Sequence, residues 1–353
     1  MKGSNTAGMN DTYISEGNTI LEAMQKLDKS ARGVLFVQDN GKLLATLTDG
    51  DVRRWILKNG SLDAKVQSAA NYNPIYLYED QKSRAAWIMN KYLIDAVPIV
   101  DKKLLIKEII FIKSSGKQIG VFEEKIPVVI MAGGLGTRLF PYTNILPKPL
   151  IPVGDYPITE HIINRFCAYG CGKFYMIVNY KRNMIKAYFD DLHKNYQIEF
   201  ITEEKKLGTG GGLSLLKDKI KSTFILTNCD ILIDEDLSKA YRQHIESGNV
   251  ITIVCSLKNY VIPYGIVNIG EEGIVEAIQE KPQMAFFTNT GCYFVESEVI
   301  ENLNYNEEID FPQIVEKYIK LGLRVGVFPI GEEAWLDMGQ IDEFEKMKKK
   351  LGC

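Results

Sequence analysis

Hydrophobic positions recur along this 353-residue chain with two different rhythms, and the change between them divides it. In the first third, apolar residues at helical spacing (Ile20, Ala23, Met24, Leu27) lead into a strand-like run. That run, VLFVQDNGKLLATLTDGDV at 34–52, predicts strand, turn, strand and the start of a helix. A weaker copy, AVPIVDKKLLIKEII, stands at 96–110, behind a second helical segment at 81–91. Asp39 and Asp101 hold equivalent places, sixty-two residues apart. The same unit is written twice.

The stretch KSSGKQIG, 113–120, is polar and rich in glycine and serine, as a connection between independent domains should be. Beyond it, strands alternate with helices, the pattern of an α/β domain with a parallel sheet. Candidate strands are 128–131, 173–179, 197–201, 223–228 and 249–256. The expected boundaries are a repeated unit over 1–115, a linker over 116–126 and an α/β domain over 127–353.

Composition narrows the classes. An apolar share of 46% supports a proper core, and a net charge of −3 gives no electrostatic case for nucleic acid or anionic membrane. No run reaches the apolar length of a membrane span, and no signal-peptide core stands at the N-terminus. The six cysteines are scattered without paired CxxC sets, which argues against zinc and for reduced thiols in the cytoplasm. His161, His193 and His244 sit in no recognisable motif and read as surface or packing residues.

The densest chemistry lies at 128–158, VVIMAGGLGTRLFPYTNILPKPLIPVGDYPI. An apolar strand runs into a glycine-rich turn, then Arg138, then Lys148 between two prolines. Glycines let backbone N–H groups close around an anion, and two cations behind such a turn suit a polyphosphate. The P-loop pattern GxxxxGK[ST] is absent, and Leu139 stands where the third glycine of GxGxxG should be. The pattern GGxGTRLxPxTxxxPKPLxPVxxxPI resembles the signature of the sugar-1-phosphate nucleotidyltransferases. Four further elements are similar to that family in content and order: TEEKKLGTGGGL, LTNCD, IQEKP and WLDMG, at 202–213, 226–230, 278–282 and 335–339. In the first of them glycines replace two alanines of the family pattern.

The family resemblance implies roles. Asp230 and Asp337 would bind metal; Ala132, Gly133, Gly134, Gly136, Thr137, Glu203, Gly208 and Thr209 would hold the nucleotide. Gly265, Glu280, Thr290 and Gly291 would hold the sugar. Arg138 would stabilise leaving pyrophosphate, Lys148 the charge about the α-phosphorus, and Lys281 would orient the attacking phosphate. Two polyanions must meet, so a divalent cation with oxygen ligands is needed, and Mg²⁺ suits one or two carboxylates plus phosphates. No general base is required, because the attacking phosphate is already ionised near pH 7. Glu203 would read the base: a carboxylate accepts only, which suits the adjacent N1–H and N2–H₂ of guanine, while an amide suits uracil or thymine better. GTP is therefore favoured over UTP, dTTP and CTP.

The N-terminal repeat resembles a tandem pair of CBS domains. Its first copy carries the TxxD pattern, Thr48 and Asp51, that in that family often contacts a nucleotide ribose; the second has Ile106, Lys107 and Glu108 there. The other reading is a helix cap by Asp49 or Asp51. Together the resemblances imply an α/β chain: a tandem CBS pair, then a Rossmann-like, GT-A-type nucleotidyltransferase domain with a mostly parallel mixed sheet. They also imply a homodimer or higher homo-oligomer with a regulatory nucleotide at the pair. Domain order is similar to enzymes making GDP-glucosamine for bacterial nonulosonic acids, so glucosamine 1-phosphate leads, with mannose, glucose and heptose 1-phosphates as competitors. The competing class is a nucleotide sensor that binds without turnover.

Overall fold

The computed structural model describes residues 11–30, 32–92, 94–111, 120–339 and 341–352. The chain divides into two compact units, Met1–Gln118 and Ile119–Cys353.

The first unit contains the repeat. Strands β1 (Tyr13–Ile14), β2 (Val34–Asp39) and β3 (Lys42–Thr48) form one sheet, with β1 parallel and β3 antiparallel to β2. Strands β4 (Leu77–Tyr78), β5 (Ala96–Val100) and β6 (Ile106–Phe111) repeat that arrangement. The two hairpins bond to each other, Leu43 N to Leu104 O at 2.9 Å and Ile106 N to Gly41 O at 2.9 Å. Val34, Phe36 and Leu43 of one copy share a core with Ala96, Val100 and Ile109 of the other. One face of each sheet packs on the other copy, and the opposite face of the second sheet is covered by its own helix, with Leu77, Val97 and Ile99 against Ala85 and Met89. The first helical segment forms a helix, Ile20–Ser30. The second begins as a 3-10 turn, Glu79–Arg84, and becomes an α-helix only at Ala85–Tyr92.

In the second unit, β7 (Val128–Ala132) leads to a short hairpin, β8 (Pro152–Val153) and β9 (Tyr156–Pro157). There follow β10 (Lys173–Val178), β11 (Gln197–Thr202), β12 (Phe224–Asn228), β13 (Ile231–Ile233) and β14 (Ile251–Val261). A hairpin of β15 (Ile266–Ile269) and β16 (Val275–Gln279) precedes β17 (Gln283–Val295), β18 (Val325–Ile330) and β19 (Trp335–Asp337). Seven strands make the main sheet in the order β11-β10-β7-β12-β17-β14-β18. The first four are parallel, β17 is antiparallel to both neighbours, and β14 is parallel to β18. The mixed, mostly parallel sheet matches the expectation, with strand ends shifted by a residue or two. Strand β14 is the exception, running on to Val261 where its pattern suggested an end at 256.

Strand periodicity places the core on both faces. Val128, Ile130, Phe174, Met176 and Val178 join a cluster with the helix Ile158–Ala168. Their alternates Val129, Tyr175 and Ile177 join a second with the helix Phe311–Lys320. Both faces are covered, as a parallel sheet requires.

One boundary differs from expectation. Residues 113–119 of the anticipated linker lie outside the described residues, but its later part is anchored to the second unit. Phe122 and Ile126 are buried, Phe122 N bonds Tyr169 O at 3.0 Å, and the two rings stack at 5.1 Å. Aromatic burial here outweighs the polar neighbours from which a linker was read.

Candidate active site

Parallel α/β sheets bind ligands beyond the carboxyl ends of their strands, where the order reverses. From β7 the chain turns to β10 and β11 on one side, and β12 lies on the other. The glycine loop leaves β7 at that point. Gly136 has φ +68°, and a Cβ there would stand 2.8 Å from Thr143 Cγ2 and 3.2 Å from Lys148 Cβ. The Thr143 hydroxyl donates to Gly136 O at 2.9 Å and fixes the turn. At Gly134 a Cβ would meet nothing within 4 Å, so this part of the loop is open to an incoming group. Thr137 and Arg138 are exposed at the start of the 3-10 turn Thr137–Leu139, whose last residue is buried.

Lys148 begins the turn Lys148–Leu150, and its largely buried side chain pairs with Asp230. Asp230 stands in the two-residue turn, Cys229 and Asp230, between β12 and β13. Strand β13 then pairs antiparallel with β19, setting Ile231 opposite Asp337, and Met338 N bonds Asp230 O at 2.9 Å. One short ladder thus brings together two carboxylates far apart in the chain. Burial and then the Asp230 charge push the Asp337 carboxyl above its ordinary range. The Gly339 N–H at 2.7 Å, Lys148 and Arg138 pull it back. Two acids that repel each other beside two cations make a donor set a hard divalent ion would fit, with phosphates and water completing its shell. Among the described residues no group of three or more His, Cys, Asp or Glu could cage a metal alone. Mg²⁺, which keeps water and phosphate ligands, needs no such cage.

On the other side of the loop Glu203 follows β11, 5% exposed. Its N–H bonds Val178 O at 3.0 Å and its carbonyl accepts from Asn179 Nδ2 at 3.1 Å. Burial alone pushes its carboxyl up to about 7. Gly208 adopts φ +76° with Ile309 O against its Cα, where a Cβ would come within 2.7 Å. Gly265 and Glu280 also meet, since a Cβ at 265 would stand 2.9 Å from Glu280 Oε2.

Comparison with known proteins decides what this arrangement is. The model of the nucleotidyl transferase family matches residues 127–352. The chain belongs to that family. The CBS domain model matches residues 9–58. Among curated relatives, the bifunctional protein GlmU of Methanococcus maripaludis is 32% identical over 220 residues, 60% of this chain and 51% of that protein. The chain spans about half the length of such relatives. The D-glycero-alpha-D-manno-heptose 1-phosphate guanylyltransferase of Campylobacter jejuni is 29% identical over 61% of this chain and 96% of its own. A solved structure from Bacillus anthracis shares the fold at TM-score 0.50 and 19% identity, covering 64% of this chain and 94% of that one.

Within this nucleotidyl transferase, the residues expected at the site fall into two groups. Ala132, Gly133, Gly134, Gly136, Thr137, Arg138, Lys148, Asp230 and Asp337 meet about the β7 and β12 ends. Glu203, Gly208 and Thr209 flank them, but Thr209 has a different employment from the one expected. Its N–H and hydroxyl both bond Asp310 Oδ1, at 2.9 and 3.1 Å, and its hydroxyl accepts from Phe311 N at 3.0 Å. It therefore clamps the Gly208 turn to the helix Phe311–Lys320. Thr290 likewise is buried, with its hydroxyl donating to Val254 O at 2.7 Å, so it serves the sheet and not the cleft. Gly291, φ +85°, lets β17 approach Asn228, where a Cβ would come within 2.4 Å of Nδ2. Glu280 and Lys281 are exposed on the turn into β17. Among the described residues neither side chain forms a hydrogen bond or ion pair.

Three contributors went unread in the sequence: Asn179 behind Glu203, Asn228 behind Gly291, and Asp310 behind Thr209. The first two are asparagines just at strand ends, which is a usable signal; Asp310 begins a capping box with Gln313.

In the first unit, Thr48 caps the helix Asp49–Leu57 in a reciprocal box with Asp51, Asp51 N to Thr48 Oγ1 at 3.1 Å and Thr48 N to Asp51 Oδ2 at 2.8 Å. Arg54 also reaches Asp51 at 2.5 Å. The cap is Thr48 itself, one turn earlier than a helix starting near Val52 would have it. His244 is fully buried between Thr252 Oγ1 at 2.8 Å and Glu296 Oε1 at 2.9 Å, a core residue as expected. The described cysteines are all free.

Proposed function

We propose that the chain transfers a nucleoside monophosphate from GTP to a hexose 1-phosphate, giving a GDP-sugar and pyrophosphate. The observation carrying this is the juxtaposition of Lys148, Asp230 and Asp337 beside an open glycine loop. A sugar phosphate oxygen attacks the α-phosphorus in line. The bond from that phosphorus to the β-bridging oxygen breaks, and pyrophosphate leaves with the electron pair. No proton need move, which agrees with a site lacking histidine.

The glycine-loop amides and Arg138 hold the β- and γ-phosphates, and Lys148 answers charge at the α-phosphate. Asp230 and Asp337 would hold Mg²⁺, which when bound neutralises phosphate charge as a Lewis acid. Glu280 and Lys281 orient the sugar phosphate when the exposed β15–β16 hairpin meets it. Glu203 favours guanine, and two relatives named as guanylyltransferases, of heptose and of mannose 1-phosphate, support that choice; another is a uridylyltransferase. Glucosamine 1-phosphate is the first sugar to test, with mannose and heptose 1-phosphates next. The CBS unit acts as a regulatory and dimerising module. Pyrophosphate release measured across nucleotides and sugar phosphates tests the reading, and Asp230→Asn should reduce turnover by orders of magnitude while the protein stays folded.

A further inference from the structure

The Glu203 carboxyl lies between two glycines. A Cβ on Gly133 would stand 2.9 Å from its Oε2, and one on Gly212 only 2.4 Å from its Oε1. The same Gly212 Cβ would be 3.0 Å from Ile177 Cγ2, so the methyl has no second direction in which to settle. Yet Gly212 has φ −58° and ψ −24°, ordinary right-handed helical values that alanine adopts readily. The backbone does not need a glycine here; the neighbouring carboxyl does. A second observation points outward to a ligand. Glu203 Oε1 is buried without a hydrogen-bond partner among the described residues, a costly state for an acceptor unless a bound molecule brings donors.

We infer that Gly212 is a positioning residue for base selection: its missing side chain keeps open the slot from which Glu203 addresses the Watson–Crick edge of the nucleotide base. The inference rests on the reading of Glu203 as base reader and adds the residue that sets where its carboxyl stands. As a carboxylate, Glu203 accepts from the two adjacent N–H groups of guanine. As a neutral acid it donates one O–H, which suits a uracil carbonyl, while its other oxygen accepts from the adjacent N3–H. Burial sets the balance between these forms near neutrality, with no charged neighbour contributing among the described residues. Of the ionisable groups nearest in the chain, Arg182 pairs with Glu204 at 3.6 Å and Lys186 bonds Thr202 Oγ1 at 3.2 Å. Gly133 and Gly212 add none, and Ile177 and Asn179 from the β10 side are uncharged.

The test compares wild type, Gly212→Ala and Glu203→Gln as full-length chains. It measures kcat/KM for GTP and UTP from pH 6 to 8.5, with Mg²⁺ and a saturating mixture of glucosamine, mannose, glucose and heptose 1-phosphates. The GTP/UTP ratio of the wild type should rise about tenfold with pH, within the range that one bidentate base-edge contact discriminates. In Gly212→Ala the ratio at pH 8 should fall about tenfold, with KM for the sugar phosphates unchanged; in Glu203→Gln it should be flat across pH. A Gly212→Ala ratio within twofold of wild type at every pH, while Glu203→Gln lowers it, overturns the role of Gly212 and leaves Glu203 as reader. Unchanged ratios in both overturn the two together. Silence with every pair of substrates overturns the proposed function and this inference with it.

Discussion

Replacing Lys148 by Met removes one cation from a pocket where two carboxylates face each other, and the loss can be worked out. The Lys148 and Asp230 side chains are 13% and 10% exposed, so solvent screens them little. Breaking a buried pair by deleting one partner costs roughly 3–5 kcal/mol. A Coulomb estimate agrees: unit charges about 4 Å apart at an effective dielectric of about 20 interact by about 4 kcal/mol. The residual exposure of both side chains keeps the damage near the lower figure. We expect about 3 kcal/mol of lost stability at pH 7.5. Asp230→Asn in the same chain should return at least half, because the uncompensated charge is then gone. Guanidinium unfolding of the second unit would be followed by Trp335 fluorescence in a Trp55→Phe, Trp87→Phe background, since the only other tryptophans lie in the first unit. A coupling between the two substitutions below about 0.5 kcal/mol would show that the cluster is not electrostatically tied and would refute the reasoning.

Glu203 makes the second unit's stability depend on pH. Its carboxyl rises from 4.5 unfolded to about 7 folded, so this contribution is full below pH 4.5 and is lost as pH climbs through 7. Glu203→Gln should therefore stabilise the protein at pH 8 by on the order of 3 kcal/mol and have little effect at pH 4.5; equal unfolding midpoints of the two chains at pH 8 would contradict the burial. Gly136→Ala forces a side chain into φ +68° against Thr143 and Lys148, a strain of about 1–3 kcal/mol. Steady-state rates should show kcat/KM down by tenfold or more. Asp310→Ala unclamps Thr209 and the Gly208 turn, costing about 1 kcal/mol of helix capping and raising KM for the nucleotide severalfold. A chain with normal KM would reassign that clamp to stability alone.

The sheet and the phosphate loop were legible because each depends on local pattern. Short apolar runs at 128–131 and 173–179, alternating with helical segments, read as strands of a parallel sheet, and Gly136 and Lys148 sit in a fixed short-range motif. What was not legible depends on distant partners. Thr209 and Thr290 belong to motif segments, but their hydroxyls are consumed by Asp310 and by Val254, which lie on other elements. Phe122 stands just past the polar run 113–120, and its contact with Tyr169, together with the burial of Ile126, ties that stretch to the second unit. The β15–β16 hairpin lengthens β14 and β17 beyond the sheet, and a sequence of short alternating runs does not say where that arm ends.

The most direct test of guanylyl transfer is pyrophosphate release by purified full-length protein with Mg²⁺, crossing GTP, UTP, dTTP and CTP with glucosamine, mannose, glucose and heptose 1-phosphates. Turnover is expected with GTP, abolished in Asp230→Asn and Asp337→Asn chains that retain the wild-type fold. Folded protein that binds GTP and releases no pyrophosphate with any sugar phosphate would contradict it.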